Sequence, residues 1–355
     1  MRTLTWRQVY ARRLEASHLA RRAPGGRLLD GVRDVCGLHA QLATGAELAA
    51  SARVHDVTRD SMRELLYVER ALVKANTLRG TLHLHPAGDL ALWKAVSATR
   101  DRRRDQAWLD WQGLTAAEAE RLRDRVLAVL EDGEPRTRAE IGAAVGGRLG
   151  DHIAADSWGH YLTPASDLLC HGPQRGRLVT FVRCDRWVPG WAPPDAAGAL
   201  REVCRRYLAT YGPARRDELE HWLARGVPPG LFDELEEVDV EGHRTFVLPG
   251  TRFPDGPARG LRLLWHYDVY IIGCHPRDHL IPEQKERIFL RGAGPSPALL
   301  VDGRVAGVWT RKERGRRMEI RVDPFRRLTA VQRRALGGEA ARVAATFGAE
   351  AELLV

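Results

Sequence analysis

The feature that most limits the fold of this chain is a unit that occurs twice at similar spacing. Residues 134–145, EPRTRAEIGAAV, and 212–223, GPARRDELEHWL, each carry Pro, then Arg, then the acidic and apolar start of a helix. A long amphipathic stretch precedes each, at 116–130 and 196–210, and a β pattern closes each, RLVTFV at 177–182 and HRTFVL at 243–248. The same order of elements at matching spacing marks a supersecondary unit used in tandem. Helices that end in a small hairpin make a winged helix.

The first hundred residues follow a related order. Thr5 is placed to cap a helix over 6–22, with Val9, Leu14 and Leu19 among its apolar positions. Pro24-Gly25-Gly26 ends it, and a second helix covers 28–36 with Gly37 as its stop. Further helix is expected at 47–53 and 59–66, a hairpin from 71–75 and 81–85, and helix again over 86–100. The tail differs: LRLLWHYDVYIIG (261–273), PALLVDGRVAGVWTR (297–311) and RRMEIRVDPF (316–325) read as strands, with Asp302-Gly303 as a hairpin turn. A helix over 329–347 and a strand over 351–355 complete it. Pro-rich joints at 191–195 and 253–259 are natural boundaries. The expectation is an α+β chain in four segments: winged-helix domains at 1–100, 101–192 and 193–256, and a β-rich domain at 257–355.

Composition narrows the function. The 355 residues carry a formal net charge of +9, which favours a polyanionic partner, and only Lys74, Lys94, Lys285 and Lys312 are lysines among 55 basic residues. Cys36, Cys170, Cys184, Cys204 and Cys274 are odd in number and form no CxxC pair. That argues against a zinc ribbon, an iron–sulfur cluster or a disulfide framework, and for reduced, buried thiols. No run approaches the ~18–20 apolar residues of a membrane helix, and the N-terminal stretch lacks the apolar core of a secretory signal. The expected setting is the cytoplasm, at the nucleoid.

Walker A, GxGxxG, GxSxG and HExxH sequences are all missing. His83 and His85 in TLHLH share one strand face, but no third ligand lies near them in sequence, and no metal is expected. More informative is Cys36-Gly37-Leu38-His39-Ala40-Gln41. An extended chain after Gly37 turns Leu38 and Ala40 to the core and puts His39 and Gln41 side by side on the other face. Taken alone, that pair fits either a cap on the preceding helix or a reacting pair.

GLHAQLATGAELAASARV, LVKANTLRGTLHLHPAGDL, YGPARRDEL, LLWHYDVYIIGCHPRD and LLVDGRVAGVWTRKE stand in the order found in AlkZ/YcaQ-like proteins. The chain resembles that family of winged-helix DNA glycosylases over nearly its whole length. The resemblance implies three tandem winged helices and a β-barrel-like domain, C-shaped around a concave basic channel. It implies double-stranded DNA with alkylated bases as partner, no cofactor, no metal, no membrane and a monomeric state. Relatives carry Gln-apolar-Gln or Gln-apolar-Asp where this chain has His39-Ala40-Gln41, so the implied catalytic residues are His39 and Gln41, with the first position changed to His. The absence of a catalytic Lys there implies a monofunctional enzyme. Its substrates would be N7-alkylated purines, bulky N7-guanine adducts of a genotoxic natural product in particular. Arg79, Arg277, Arg311 and Lys312 are the expected phosphate contacts, and Trp309 and Tyr267 are read as core. The competing reading is a non-catalytic winged-helix regulator, which basic charge and tandem winged helices would serve equally well.

Overall fold

The computed structural model describes residues 1–98, 105–156, 160–290 and 294–355. They form a mixed α+β chain that packs as two compact units, Met1–Arg63 with Arg201–Val355, and Glu64–Leu200. Packing therefore joins the first helices to the β-rich tail, and the hairpin expected to close the first segment lies in the second unit.

In the first of these units, Thr5 and Gln8 form a reciprocal capping box that starts the helix Trp6–Ala16. This helix stops six residues earlier than expected, where the Ser17 hydroxyl donates to the Arg13 carbonyl at 2.6 Å and His18 turns left-handed at φ 56°. Val9, Leu14 and Leu19 are nonetheless buried. Arg13 ties distant loops together, its guanidinium donating to the carbonyls of Pro213 (3.0 Å) and His275 (2.6 Å). A short N-terminal strand, Arg2–Leu4, runs parallel to Glu236–Val240, which pairs antiparallel with His243–Val247.

The tail forms a five-stranded sheet ordered Leu261–Leu264, Ala298–Val301, Arg304–Arg314, Arg317–Pro324 and Glu350–Leu354, the last pair parallel. Asp302 and Gly303 (φ 48° and 84°) make the tight turn their sequence called for. Helix Ala330–Ala345, capped by Thr329, packs its Leu336 and Val343 into one core with Leu263, Trp309 and Ile320 of this sheet. Leu48 of helix Ala43–Arg53 enters the same core. The expected strand across 269–273 is instead the helix Val269–Gly273. β-branched residues favoured a strand, but the Asp268 carboxylate accepts from the Tyr270 N–H at 2.9 Å and starts a helical turn.

Within the second unit, Leu72–Asn76 and Leu82–Pro86 form the expected hairpin, extended by Leu169–Arg175, Leu178–Arg183 and Arg136–Thr137. Helix 86–100 is a single turn, Ala87–Asp89, followed by Leu90–Ala98; its expected end lies outside the described residues. Thr115 and Thr137 cap the helices Ala116–Val129 and Arg138–Val145 with Glu118 and Glu140. Buried Lys94 is satisfied by three carbonyls, Asn76, Ser166 and Leu169, at 2.6–3.0 Å. All five cysteines are buried, and none is in a disulfide. Among the described residues no helix is long and apolar enough to cross a membrane.

Candidate active site

The helix Leu28–Asp34 ends in two left-handed residues, Cys36 (φ 62°) and Gly37 (φ 92°). The Gly37 N–H donates to the Val32 carbonyl at 2.9 Å, so the helix end is closed through its own backbone. From the other side, the Tyr211 hydroxyl donates to the Val35 carbonyl at 2.8 Å and the Thr210 hydroxyl to that of Asp34. A two-residue strand, Leu38–His39, leaves this fixed point. Leu38 and Ala40 are fully buried, as the alternation required. His39 is 7% exposed, and Gln41 is exposed where the chain bends into helix Ala43–Arg53. Extended backbone thus stops at His39, two residues short of the amide.

The imidazole of His39 lies flat on the Tyr267 ring, with centroids 4.6 Å apart and planes inclined by 15°. Tyr267 is left-handed at φ 59°. Its neighbour Asp268 receives a two-pronged ion pair from Arg53, Nη1 at 2.9 Å and Nη2 at 2.6 Å, both side chains almost wholly buried. Burial pushes the Arg53 guanidinium down, but the charge and hydrogen bonds of Asp268 reverse this and hold it above its ordinary value. A Cβ built on Gly294 would fall 1.9 Å from Cε1 and Cζ of the Tyr267 ring, so any larger residue there would displace the ring. Burial also lowers the neighbouring His266. Gly45, early in helix Ala43–Arg53, packs beside Trp265 and the carbonyls of His266 and His39.

The four basic residues expected at phosphates have different surroundings. Lys312 is exposed on the hairpin Arg304–Arg314/Arg317–Pro324, whose tip, Lys312 through Arg317, is wholly exposed and rich in Arg. Arg311 is held inside: its guanidinium lies 5.0 Å from the Trp265 ring and 4.5 Å from Phe347, and it pairs with Glu313 at 2.6 Å. Arg277 sits in a short helix, Arg277–Leu280, not after a strand. It donates to the Ile272 carbonyl at 2.8 Å and lies over Phe289, and burial pulls its guanidinium down to about 10. Arg79, left-handed at φ 58°, occupies the turn Leu78–Gly80, its Nη2 3.4 Å from His83 Nε2. His39, Gln41, Arg277, Arg311 and Lys312 belong to one compact unit and Arg79 to the other.

His83 and His85 are buried and occupied by neighbours. His83 Nδ1 is 3.0 Å from the Thr81 carbonyl; His85 Nε2 is 2.9 Å from the Thr77 hydroxyl, its ring stacked on Trp93. Among the described residues no three His, Cys, Asp or Glu side chains are placed to hold a metal ion. Trp309 is core as expected, donating to the Leu264 carbonyl at 2.8 Å. Tyr267 is not simply core, since its ring is the surface on which His39 rests.

The sequence profile described as DNA glycosylase AlkZ-like matches residues 32–346. The chain belongs to the AlkZ-like DNA glycosylase family. An interstrand DNA cross-link repair glycosylase from Streptomyces sahachiroi is 30% identical to this AlkZ-like chain over 376 aligned positions, which span 97% of each protein. The solved structure of the Streptomyces sahachiroi DNA glycosylase AlkZ matches it with a TM-score of 0.86 at 29% identity, over the full length of both. The chain is accordingly a DNA glycosylase of DNA repair. Within this AlkZ-like fold, the two segments that interlock at Arg53–Asp268 and His39–Tyr267 are GLHAQLATGAELAASARV and LLWHYDVYIIGCHPRD, both already conspicuous in the sequence.

Proposed function

We propose that this glycosylase hydrolyses the N-glycosidic bond of N7-alkylated purines in double-stranded DNA, bulky N7-guanine adducts of a genotoxic natural product above all. In this reading it is a monofunctional, monomeric enzyme of the cytoplasm that uses neither metal nor organic cofactor. Its winged-helix segments at 1–100, 101–192 and 193–256 and its C-terminal segment at 257–355 grip the duplex. The observation that carries the proposal is the His39 imidazole, seated on Tyr267 at the position of the family's active-site pair, with Gln41 exposed two residues on.

A purine alkylated at N7 is cationic and leaves readily, so the protein need not protonate it. What remains is to hold a water behind the sugar C1′ and to tolerate the oxocarbenium-like charge that develops there. A neutral imidazole accepts a hydrogen bond from that water and then its proton, while the Gln41 amide orients it or the sugar. Neither group adds negative charge to the site, consistent with a substrate that supplies the driving charge itself. Lys312 and Arg79, on exposed or half-exposed hairpin positions, are the phosphate contacts this reading favours.

The test is a duplex carrying a bulky N7-guanine adduct and a matched duplex carrying N7-methylguanine, each incubated with the enzyme and then cleaved by alkali at abasic sites. Excision of the bulky adduct is expected, with His39→Ala slowing single-turnover excision by about 10²-fold or more and Gln41→Ala also slowing it. Wild-type rates in both variants would refute the assignment, and borohydride-trapped protein–DNA adducts would refute the monofunctional reading.

A further inference from the structure

Tyr267 occupies an expensive conformation for a reason that the fold alone does not supply. An aromatic residue at φ 59° carries backbone strain that persists only where its surroundings over-determine it. Here the segment is pinned at both ends. Before Tyr267, Trp265 is wedged by Trp309 at 5.0 Å and by the Arg311 guanidinium at 5.0 Å. After it, Asp268 is locked by Arg53 and caps the helix Val269–Gly273. The ring itself stacks on the His39 imidazole, and its Cε1–Cζ–Oη edge lies against Gly294, where a Cβ would meet it. The strut and the site share one element: helix Ala43–Arg53 begins two residues after Gln41, packs Gly45 against Trp265, and delivers Arg53 from its last turn.

We propose that Tyr267 is a positioning residue for His39, fixing the plane of the imidazole, and that the buried Arg53–Asp268 pair is the strut that holds Tyr267 in place. The inference rests on the reading of His39 as the group that accepts from the attacking water. A turn of the His39 imidazole about its Cβ–Cγ bond would move the accepting nitrogen by about an ångström. Stacking on Tyr267 opposes that turn, because it would tilt the imidazole off the ring. A misplacement of ~1 Å at a reacting group is enough to slow chemistry by about 10²-fold.

Single-turnover excision and DNA binding on the same adduct duplex test this. Tyr267→Leu, which keeps an apolar side chain but no plane, should lower the single-turnover rate by about 10- to 100-fold and leave the Kd for DNA within about 2-fold. Tyr267→Phe should restore the rate to within about 3-fold, because the ring and not the hydroxyl is required. With His39→Ala as background, Tyr267→Leu should add nothing, since the two act as a unit. If His39→Ala itself retains the wild-type rate, the reading of the site has failed. If His39→Ala is slow but Tyr267→Leu is not, or if Tyr267→Phe is as slow as Tyr267→Leu, the positioning role is refuted and the site reading survives. Should Tyr267→Leu not fold, the His39 ring protons of the wild-type enzyme, assigned by comparison with His39→Gln, provide the answer. They should be shifted upfield by the Tyr267 ring current, and ordinary chemical shifts would overturn the proposal.

Discussion

Removing the charge of Asp268 tests how much the Arg53 strut contributes to the fold. The two side chains are 0% and 1% exposed and joined by two charge-assisted hydrogen bonds of 2.9 and 2.6 Å. Asp268→Asn preserves size and leaves an oxygen able to cap Tyr270, so its effect reports the ion pair and not the cap. Deleting one partner of a buried pair strands the other charge and costs about 3–5 kcal/mol, a large share of the roughly 5–15 kcal/mol that stabilises a folded domain. For a unit of this size that corresponds to a fall in Tm of about 6–20 °C. Thermal and urea unfolding followed by tryptophan fluorescence measures it, with Trp265 and Trp309 close by as reporters. Arg53→Met with Asp268→Leu should be more stable than either single variant, because no charge is then left buried. A single Asp268→Asn variant that melts within about 2 °C of wild type would refute the reasoning, as would strictly additive losses in the double variant.

Three further outcomes are expected. His275 is 7% exposed and pushed down to about 3, first by burial and then by the charges of Arg277, His221, Arg13 and Arg215. Between that value and the ordinary ~6.5 the unfolded chain binds a proton that the folded one refuses, so stability falls as pH drops through this window, by about 2 kcal/mol at pH 5. Urea midpoints of wild type and His275→Gln at pH 7 and pH 5 check this, and equal pH slopes would contradict it. Gly142→Ala should lower the stability of the unit Glu64–Leu200 by about 1–3 kcal/mol, since its Cβ would stand 2.5 Å from the Gly150 carbonyl oxygen; an unchanged urea midpoint would contradict the close helix approach. Lys312→Ala should weaken binding to any duplex and reduce the slope of log K against log salt by about 0.9, whereas an unchanged slope would remove Lys312 from the interface.

What could be read from the sequence was what local chemistry decides. Thr5, Thr115, Thr137 and Thr329 are followed three residues on by Gln or Glu, and each starts a helix with a full capping box. Asp302-Gly303 called for a two-residue turn and makes one. The burial of Leu38 and Ala40 was also legible, but His39, expected on the opposite and exposed edge with Gln41, is buried as well, because the Tyr267 ring covers it. The misreadings arose where a distant partner decides. VYIIG has the composition of a strand, yet Asp268, fixed by Arg53 from far upstream, starts a helix there. Arg2–Leu4 is too short to show a period, and its partner, Glu236–Val240, lies far downstream in the chain. Leu48 marks an apolar helix face, but nothing in its neighbourhood says that the face belongs to the C-terminal sheet. Tyr267 follows the same logic. An isolated aromatic in an apolar segment is most often core, and only the three-dimensional meeting of two motifs reveals the stack on His39.

The placement of these misreadings has a consequence for how such an enzyme tolerates change. If the leaving base supplies the charge, the protein contributes position, and position here comes from contacts between segments remote in sequence: His39 with Tyr267, Arg53 with Asp268, Trp265 with Arg311. Position depends on the stiffness of the whole set, so a substitution at any member should act on the rate through His39 without touching DNA. An exposed residue such as Lys312, if it meets phosphates as proposed, should act the other way, on affinity and its salt dependence with little effect on the bound-state rate. The two classes are separable by kinetics even though Arg311 and Lys312 are adjacent in sequence, because one guanidinium is folded between Trp265 and Phe347 while the neighbouring ammonium stands in water. On the proposed reading, basic charge alone does not mark a DNA contact in this chain; the direction in which the strand turns each side chain separates Arg311 from Lys312.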